Sequence, residues 1–447
     1  MRDLILLVAL VALAPMVWRT PIVGILAWIW ITLMSPQREV YGFLHGFELN
    51  FWIAVVTILA WAGSRERKLV PPSLLALIMI LFGLWTCVTT YFALDPQFSQ
   101  VLLLRTLKTL ALGLAVITLV NTKLRIQVVI WAVVAALEYY SVKGGGFVLL
   151  TGGRNHVYGP EATMIADNNS LALALIALLP LLLYLRATSA GLAARLVAVG
   201  LITLSLLAIV GTYSRGALLA IAAAGATYAM RSRNGVIVMV LVALGAVSLS
   251  GALPASWMHR MATIQSYNDD ASFAGRVAAW KTAMNIVAKR PVVGGGFSAT
   301  NLDWVAQKFH TDDSLDAGKA AHSIYFEVLG DHGVVGLALY LVMVGVAVAN
   351  TVMTLRATRG RADLAWAAQL ARMLQVSIVA ILVGGALLSM AYYDGFIIIF
   401  ALTSSLLRIV RQPAAQLAEI RTQPKWARAA PAPAVLPAPR PALSDSR

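Results

Sequence analysis

Apolar runs that are long enough to cross a bilayer, or nearly so, recur along most of this chain of 447 residues. Hydrophobic residues make up 60% of the sequence and charged residues only 12%, and a soluble domain cannot bury so much apolar surface. We therefore predict an all-α polytopic membrane protein with about 12 or 13 transmembrane helices, some of them tilted or extended because their runs are short. The runs lie at residues 4–18, 21–34, 50–63, 74–92, 101–120, 126–142, 169–185, 196–212, 217–230, 235–252, 334–355, 374–391 and 395–411.

Most basic residues are concentrated in alternate loops and in the C-terminal tail, which predicts that these segments face the cytoplasm. The net charge of +15 is therefore a topology signal, and we expect no nucleic-acid partner. The N-terminus stays unassigned, because counting the spans back places it outside whereas Arg2 favours the inside. The sparsely charged loops, which we predict to face outward, are residues 35–49, 93–100, 143–168, 213–216, 253–333 and 392–395.

Composition divides the chain into four regions. Residues 1–252 and 334–411 contain the apolar runs, and residues 253–333 form a long, mostly polar region on the outer side. That region is too interrupted for a core of its own, so we predict short helices that lie over the membrane domain as a lid. Residues 412–447 are rich in Pro, Ala and Arg and are predicted to be a disordered cytoplasmic tail.

A few basic residues depart from the topology pattern and are candidates for binding an anion. They are Arg105, Lys108, Lys143, Arg154, Arg215 and Arg276. Arg105 and Lys108 are three residues apart, hence on one face of the run 101–120, where charge is costly unless it faces a cavity or a partner. Snorkelling, or pairing with Asp95, explains these two cations equally well.

Arg215 stands in the tight turn Thr-Tyr-Ser-Arg-Gly (212–216) between two apolar runs. Gly216 lets the backbone pass closely there, so the planar guanidinium can reach a diphosphate at the membrane surface. An interfacial arginine that binds lipid headgroups is the alternative interpretation. Arg276 lies one helical turn before Trp280, a pattern that an amphipathic surface helix also produces.

His322 begins a predicted helix in Ala-His-Ser-Ile-Tyr (321–325), near the outer surface. Histidine titrates near neutral pH, so it can accept a proton from a hydroxyl group. A lone histidine is more often structural, and the alternative interpretation stays open. Asp394, in the short outer turn 392–395, can orient a base or bind a sugar hydroxyl.

The sequence predicts neither a metal nor a cofactor. The histidines show no ligand spacing, and the aspartate pairs at 269–270 and 312–313 lie in polar segments where adjacent side chains point apart. The glycine-rich segment 290–297 is not followed by Lys-Ser/Thr and is therefore not a phosphate loop. The single cysteine, Cys87, lies in an apolar run and excludes a disulfide framework.

Several motifs, distributed over most of residues 1–410, carry a family resemblance. They are Leu-Thr-Gly-Gly (150–153), Ile-Ala-Asp-Asn-Asn (165–169), Tyr-Ser-Arg-Gly-Ala (213–217), Gly-Arg-Val-Ala-Ala-Trp (275–280), Arg-Pro-Val-Val-Gly-Gly-Gly (290–296) and Ala-His-Ser-Ile-Tyr-Phe-Glu-Val-Leu-Gly-Asp-His-Gly (321–333). The last of these is the most specific. The chain resembles the O-antigen ligase and polymerase superfamily of bacterial inner membranes, above all the O-antigen-ligase-like branch of O-glycosylation ligases that accompany exosortase systems.

The resemblance implies a membrane glycosyltransferase that takes a glycan from undecaprenyl diphosphate and joins it to an acceptor hydroxyl. In this family the arginines that match Arg215 and Arg276 bind the diphosphate, and the histidine that matches His322 activates the acceptor. We predict that Arg105 and Lys108 also contact the diphosphate. The further predicted substrate contacts are Lys143, Arg154, Tyr325 and Asp394.

The resemblance also implies an active site on the periplasmic face of a Gram-negative inner membrane, surrounded by membrane lipids. We expect a single displacement without a metal, which inverts the anomeric carbon, and a hydroxyl of the lipid A core oligosaccharide as acceptor. A protein hydroxyl, or the end of another carrier-linked glycan as in a polymerase, is the alternative acceptor. A transporter of lipid-linked sugars is the alternative from another class, and it would show paired half-repeats and broken helices at mid-membrane.

Overall fold

The computed structural model describes residues 1–231, 271–309 and 318–412, together with Ile237 and Trp257. Within these residues all regular structure is helical, which confirms the predicted all-α membrane-protein class. The α-helices are α1 (Arg2–Arg19), α2 (Pro21–Met34), α3 (Leu49–Gly63), α4 (Leu74–Tyr91), α5 (Pro96–Leu119), α6 (Lys123–Thr151), α7 (Asn168–Thr188), α8 (Leu192–Gly211), α9 (Arg215–Arg231), α10 (Ala271–Lys289), α11 (Asp303–Phe309), α12 (Ile324–Ala357), α13 (Ala365–Gly385) and α14 (Asp394–Val410).

Seven helices of the described part are long and apolar enough to cross a membrane: α4 to α8, α12 and α13. This is fewer than the 12 or 13 spans that the apolar runs predict. The difference arises because α1 has 18 residues of which three are charged, and because α2, α3, α9 and α14 have only 14 to 17 residues. A helix of that length covers about 21–26 Å, less than the roughly 30 Å of the hydrocarbon core. The run 235–252, apart from Ile237, lies outside the described residues.

Helices α7, α13 and α14 form the centre of the bundle. Almost every residue of α14 is buried, and so is most of α7. Helix α13 packs against both of them and also contacts α9, while α14 contacts α5 and α12. The Ser377 hydroxyl donates to the Ala177 carbonyl at 2.8 Å, which ties α13 to α7. The central helices thus fix the positions of the helix ends that carry the candidate residues.

Helix α6 is longer than the sequence predicts. The apolar run ends at residue 142, and we predict a loop from Lys143 onward, but the helix continues to Thr151. The glycines 144 and 145 are therefore helical, and their lack of a side chain permits close packing. A Cβ at Gly145 would lie 2.5 Å from the Leu204 carbonyl oxygen on α8.

Helix α12 contains a break at Gly333, whose φ of 67° and ψ of −169° are not helical. A side chain there would meet the Val292 carbonyl oxygen at 2.3 Å, so only glycine fits. The segment after α10 is fastened to this break by backbone hydrogen bonds, including Val334 N–H to the Pro291 carbonyl and Gly295 N–H to the Gly330 carbonyl. The break thus separates a short N-terminal piece of α12 from the long apolar piece.

Of the region predicted to face outward after residue 253, the structure describes α10, α11 and the segment that joins them. Helix α10 packs against α12, and a small apolar cluster that includes Ile286, Val305 and Phe309 holds α10 and α11 together. Residues 310–317 and most of 232–270 lie outside the described residues, so the lid stays a prediction. The tail from residue 413 onward, predicted to be disordered, also lies outside them.

Candidate functional site

The turn between α8 and α9 presents Arg215 at the first residue of α9. Tyr213 adopts a left-handed conformation with a φ of 55°, and its hydroxyl donates to the Gly153 carbonyl. The Asn168 amide donates to the Thr212 carbonyl at 2.6 Å, and the His156 ring lies 4.4 Å from the Tyr213 ring. The loop before α7 therefore fixes this turn from one side. Half-buried Arg215 and the N-terminus of α9 both favour an anion.

Helix α10 brings Arg276 to the segment that precedes α12. The Trp280 indole N–H donates to the Ala321 carbonyl at 2.6 Å, and the indole ring stacks on Phe326 with a centroid distance of 5.0 Å. Arg276 lies one turn before Trp280, half-buried, and is close enough to His322 to act on its charge. The Trp280 contacts therefore hold α10 against the segment that precedes α12, and Arg276 lies near His322 as a result.

His322 is held in a left-handed conformation, with a φ of 44°, directly before α12. Its backbone N–H donates to the Ser389 hydroxyl at 2.7 Å, which fixes it to the turn between α13 and α14. Burial lowers the pKa of His322 below its usual range, Arg276 lowers the pKa further, and Asp167 acts in the opposite direction. The imidazole is therefore neutral at neutral pH and can accept a proton.

These residues lie at one end of the bundle. Asp167 caps α7 by accepting from the Asn169 and Ser170 N–H groups, and it lies near His322. The next residue, Asn168, is the one whose amide donates to the Thr212 carbonyl. On the other side, a Cβ at Gly216 would lie 3.8 Å from Leu387, two residues before Ser389. The start of α7 is thus hydrogen-bonded to the turn before α9, and the turn between α13 and α14 lies beside Gly216 and is hydrogen-bonded to His322.

Arg105 and Lys108 form a second group with Asp394, at the start of α14. Both cations are close enough to act on the Asp394 carboxylate, which also accepts from the Thr109 hydroxyl at 2.7 Å. Lys108 Nζ also lies 3.9 Å from Glu48, whose side chain is mostly exposed. Asp95 caps α5 through the Phe98 N–H, so the carboxylates near this pair are Asp394 and Glu48.

The other predicted substrate contacts are more dispersed. Lys143 lies inside α6, with Nζ 2.8 Å from the Glu39 carboxylate. Arg154 is exposed in the loop after α6, and the Tyr325 hydroxyl donates to the Leu382 carbonyl at 3.0 Å. Lys143 and Tyr325 are therefore engaged within the protein, and their roles as substrate contacts stay predictions.

Two buried carboxylates on α12 were not singled out from the sequence. Glu327 accepts from the Ala391 N–H at 2.9 Å. Asp331 accepts from the Ser298 N–H at 2.8 Å and from the Tyr392 hydroxyl at 2.9 Å. Two acidic residues four apart in a mostly apolar segment are the signal that the sequence offers, because burial of a carboxylate is costly unless it is hydrogen-bonded. Both residues connect α12 to segments beside the site.

The described residues contain no group of three or more His, Cys, Asp and Glu side chains that could hold a metal ion. Both aspartate pairs, at 269–270 and 312–313, lie outside the described residues. The absence of a metal from the reaction therefore stays a prediction.

Comparison with known families gives two matches on separate parts of the chain. Residues 200–341 match the family described as O-antigen ligase, and this stretch contains Arg215, Arg276 and His322. Residues 1–190 match a family of unknown function (DUF5935). No curated protein matches the chain. The match at residues 200–341 confirms the resemblance to the O-antigen-ligase-like superfamily.

Proposed function

We propose, because residues 200–341 match the O-antigen ligase family, that this chain transfers a preassembled glycan from undecaprenyl diphosphate to a hydroxyl group of the lipid A core oligosaccharide. The reaction takes place on the periplasmic face of a Gram-negative inner membrane and needs no metal. The observation that supports this proposal best is the grouping of His322 with Arg276 and Asp167, next to the turn that carries Arg215.

The cations stabilise the negative charge of the leaving group. A lipid diphosphate departs with its negative charge, so the enzyme must stabilise that charge and need not protonate it. Arg215, at the positive end of α9, and Arg276, in the second turn of α10, lie on two different helices. Fixed donors of this kind stabilise developing charge without having to reorient during the reaction. Arg105 and Lys108 are proposed as additional diphosphate contacts.

His322 serves the nucleophile. The acceptor oxygen attacks the anomeric carbon and transfers its proton to the neutral imidazole, while the bond from that carbon to the diphosphate oxygen breaks and its electron pair leaves with the phosphate. The lowered pKa of His322 keeps the imidazole in the form that accepts a proton. Because one displacement occurs, the configuration at the anomeric carbon is inverted.

The test is glycolipid gel analysis of a ligase-deficient Gram-negative strain that makes carrier-linked O-antigen. The parent chain is expected to restore the ladder on lipid A core, and the His322→Ala variant is expected to lose it at equal membrane levels. His45→Ala is the matched control, because His45 is an exposed histidine in the loop between α2 and α3.

Absence of the ladder with a well-expressed parent chain in its native glycan background refutes the lipid A acceptor. Glycan on a protein or a lengthened carrier-linked glycan would then identify the alternative acceptors. Equal ladders from the parent chain and His322→Ala would instead refute the role of His322 as a base.

A further inference from the structure

A cavity of about 440 Å³ lies at the end of the bundle opposite to His322. It is formed by the start of α4 and the ends of α12 and α14, and its polar lining consists of Ser73, Asn350, Ser404, Arg408 and Arg411 together with Gln412. Met353 also lines the cavity. The helix between Gly333 and Met353 is about 30 Å long, which is about the thickness of the hydrocarbon core of a membrane. The cavity and the candidate active site therefore lie at opposite membrane surfaces.

The neutral polar groups of this cavity are organised by the protein itself. The Ser73 and Ser404 hydroxyls are hydrogen-bonded to each other at 2.7 Å. Ser404 and Asn350 are only 8% and 6% exposed, so the inner wall of the cavity is polar. Ser73 also caps α4 by accepting from the Ala76 N–H, so the positive end of this helix faces the same space.

The charged groups of the cavity lack a counter-ion among the described residues. Arg408 is fixed because Nη2 donates to the Val120 carbonyl at 2.9 Å, yet its buried Nε has no hydrogen-bond partner in the described part of the chain. Arg411 Nη2 contacts the Met353 sulfur at 3.4 Å, and a thioether is a weak acceptor. No acidic residue occurs among the described residues that line the cavity. Two guanidinium groups with no carboxylate in the described lining are the arrangement that an anion satisfies.

We propose that this cavity binds the phosphate headgroup of an anionic phospholipid in the leaflet opposite to the active site. Basic pockets between transmembrane helices at the membrane surface recognise such headgroups. The acyl chains have a path beside the cavity, because Leu74, Leu77, Leu81 and Leu84 form an exposed apolar stripe along α4 that begins at the cavity. A phosphate without acyl chains would gain nothing from this stripe.

The proposal is tested by thermal unfolding of the purified full-length chain in mild detergent, titrated with phosphatidylglycerol, phosphatidylcholine or inorganic phosphate. We expect phosphatidylglycerol to raise the unfolding midpoint and the other two to have little effect. Arg411→Gln is expected to weaken the apparent affinity for phosphatidylglycerol about tenfold, since one charge-assisted contact is lost. Arg359→Gln is the matched control, because Arg359 is exposed at the same end of the bundle and does not line the cavity.

Three results would overturn the proposal. Equal stabilisation by inorganic phosphate would show a site for free anions. Equal weakening by Arg411→Gln and Arg359→Gln would show diffuse attraction of the basic surface, and no stabilisation by phosphatidylglycerol would show that the lipid does not bind. Arg411→Gln removes an exposed guanidinium, so the variant is expected to fold and the comparison is interpretable.

Discussion

Replacement of Glu327 is expected to disturb both the stability of the protein and the position of His322. The Glu327 carboxylate is buried and accepts from the Ala391 N–H, two residues after Ser389, whose hydroxyl accepts from the His322 N–H. Glu327→Ala would leave the Ala391 N–H without its acceptor, which costs about 1–3 kcal/mol for a buried donor. Loss of the buried methylene adds about 1 kcal/mol, so we expect a destabilisation of about 2–4 kcal/mol.

Glu327→Gln is the control that separates the hydrogen bond from the charge. Its side-chain carbonyl can accept from the Ala391 N–H in the same place, so we expect most of the stability and most of the activity to be retained. If the charge of a buried carboxylate were the dominant contribution, Gln would instead be more stable than the parent chain.

The assay combines thermal unfolding with glycan transfer at saturating donor, normalised to folded protein. Glu327→Ala is expected to lower the turnover of the folded fraction and Glu327→Gln to restore it, because the loosened turn no longer fixes the backbone of His322. Equal unfolding midpoints for the Ala and Gln variants would refute the hydrogen-bond argument. Unchanged turnover in Glu327→Ala would refute the connection to His322.

Three further predictions concern the helix break, the proton acceptor and the diphosphate site. Gly333→Ala is expected to destabilise the chain by about 1–3 kcal/mol in thermal unfolding, because the new side chain meets the Val292 carbonyl at a residue with positive φ. The control Gly345→Ala, at a glycine with open space around it, should be neutral or slightly stabilising. Asp167→Asn keeps a capping side chain but removes the charge that raises the pKa of His322, so the acid limb of the pH–rate profile should move to lower pH; a shift to higher pH would contradict the assigned contact. Arg215→Lys keeps the charge and loses the planar fork, so transfer should fall about tenfold or more while Arg215→Ala falls further; equal activity of the Lys variant and the parent chain would exclude a bidentate contact.

Apolar runs are sufficient to predict most helices, since a long apolar segment in a membrane can form all of its backbone hydrogen bonds within itself only as a helix. The run 169–185, for example, corresponds to α7. Helix α6 was predicted too short because Lys143 and the adjacent glycines resemble a loop. Those glycines allow α8 to approach closely, and a contact with another helix is not visible in the local pattern.

The site was predictable where a residue is unusual for its position and not where a contact depends on the fold. Arg215 attracts attention because a cation on a sparsely charged face needs a reason. Ser389 gives no such signal, and it lies 67 residues from His322 in sequence. Asp167 resembles an ordinary helix cap, and only the packing of α7 beside the start of α12 brings it near the histidine.

The backbone at the site gives an independent argument for preorganisation. Tyr213 and His322 are both non-glycine residues in a left-handed conformation, and each is followed by a serine and then by the start of a helix. Such a conformation costs about 1–3 kcal/mol and persists only where the surroundings enforce it. Here the surroundings are specific: the Tyr213 hydroxyl donates to the Gly153 carbonyl, and the His322 N–H donates to the Ser389 hydroxyl. These contacts fix Arg215 and His322 at two helix starts before a substrate binds. A site that is fixed in advance can stabilise the charge of a transition state without reorganisation.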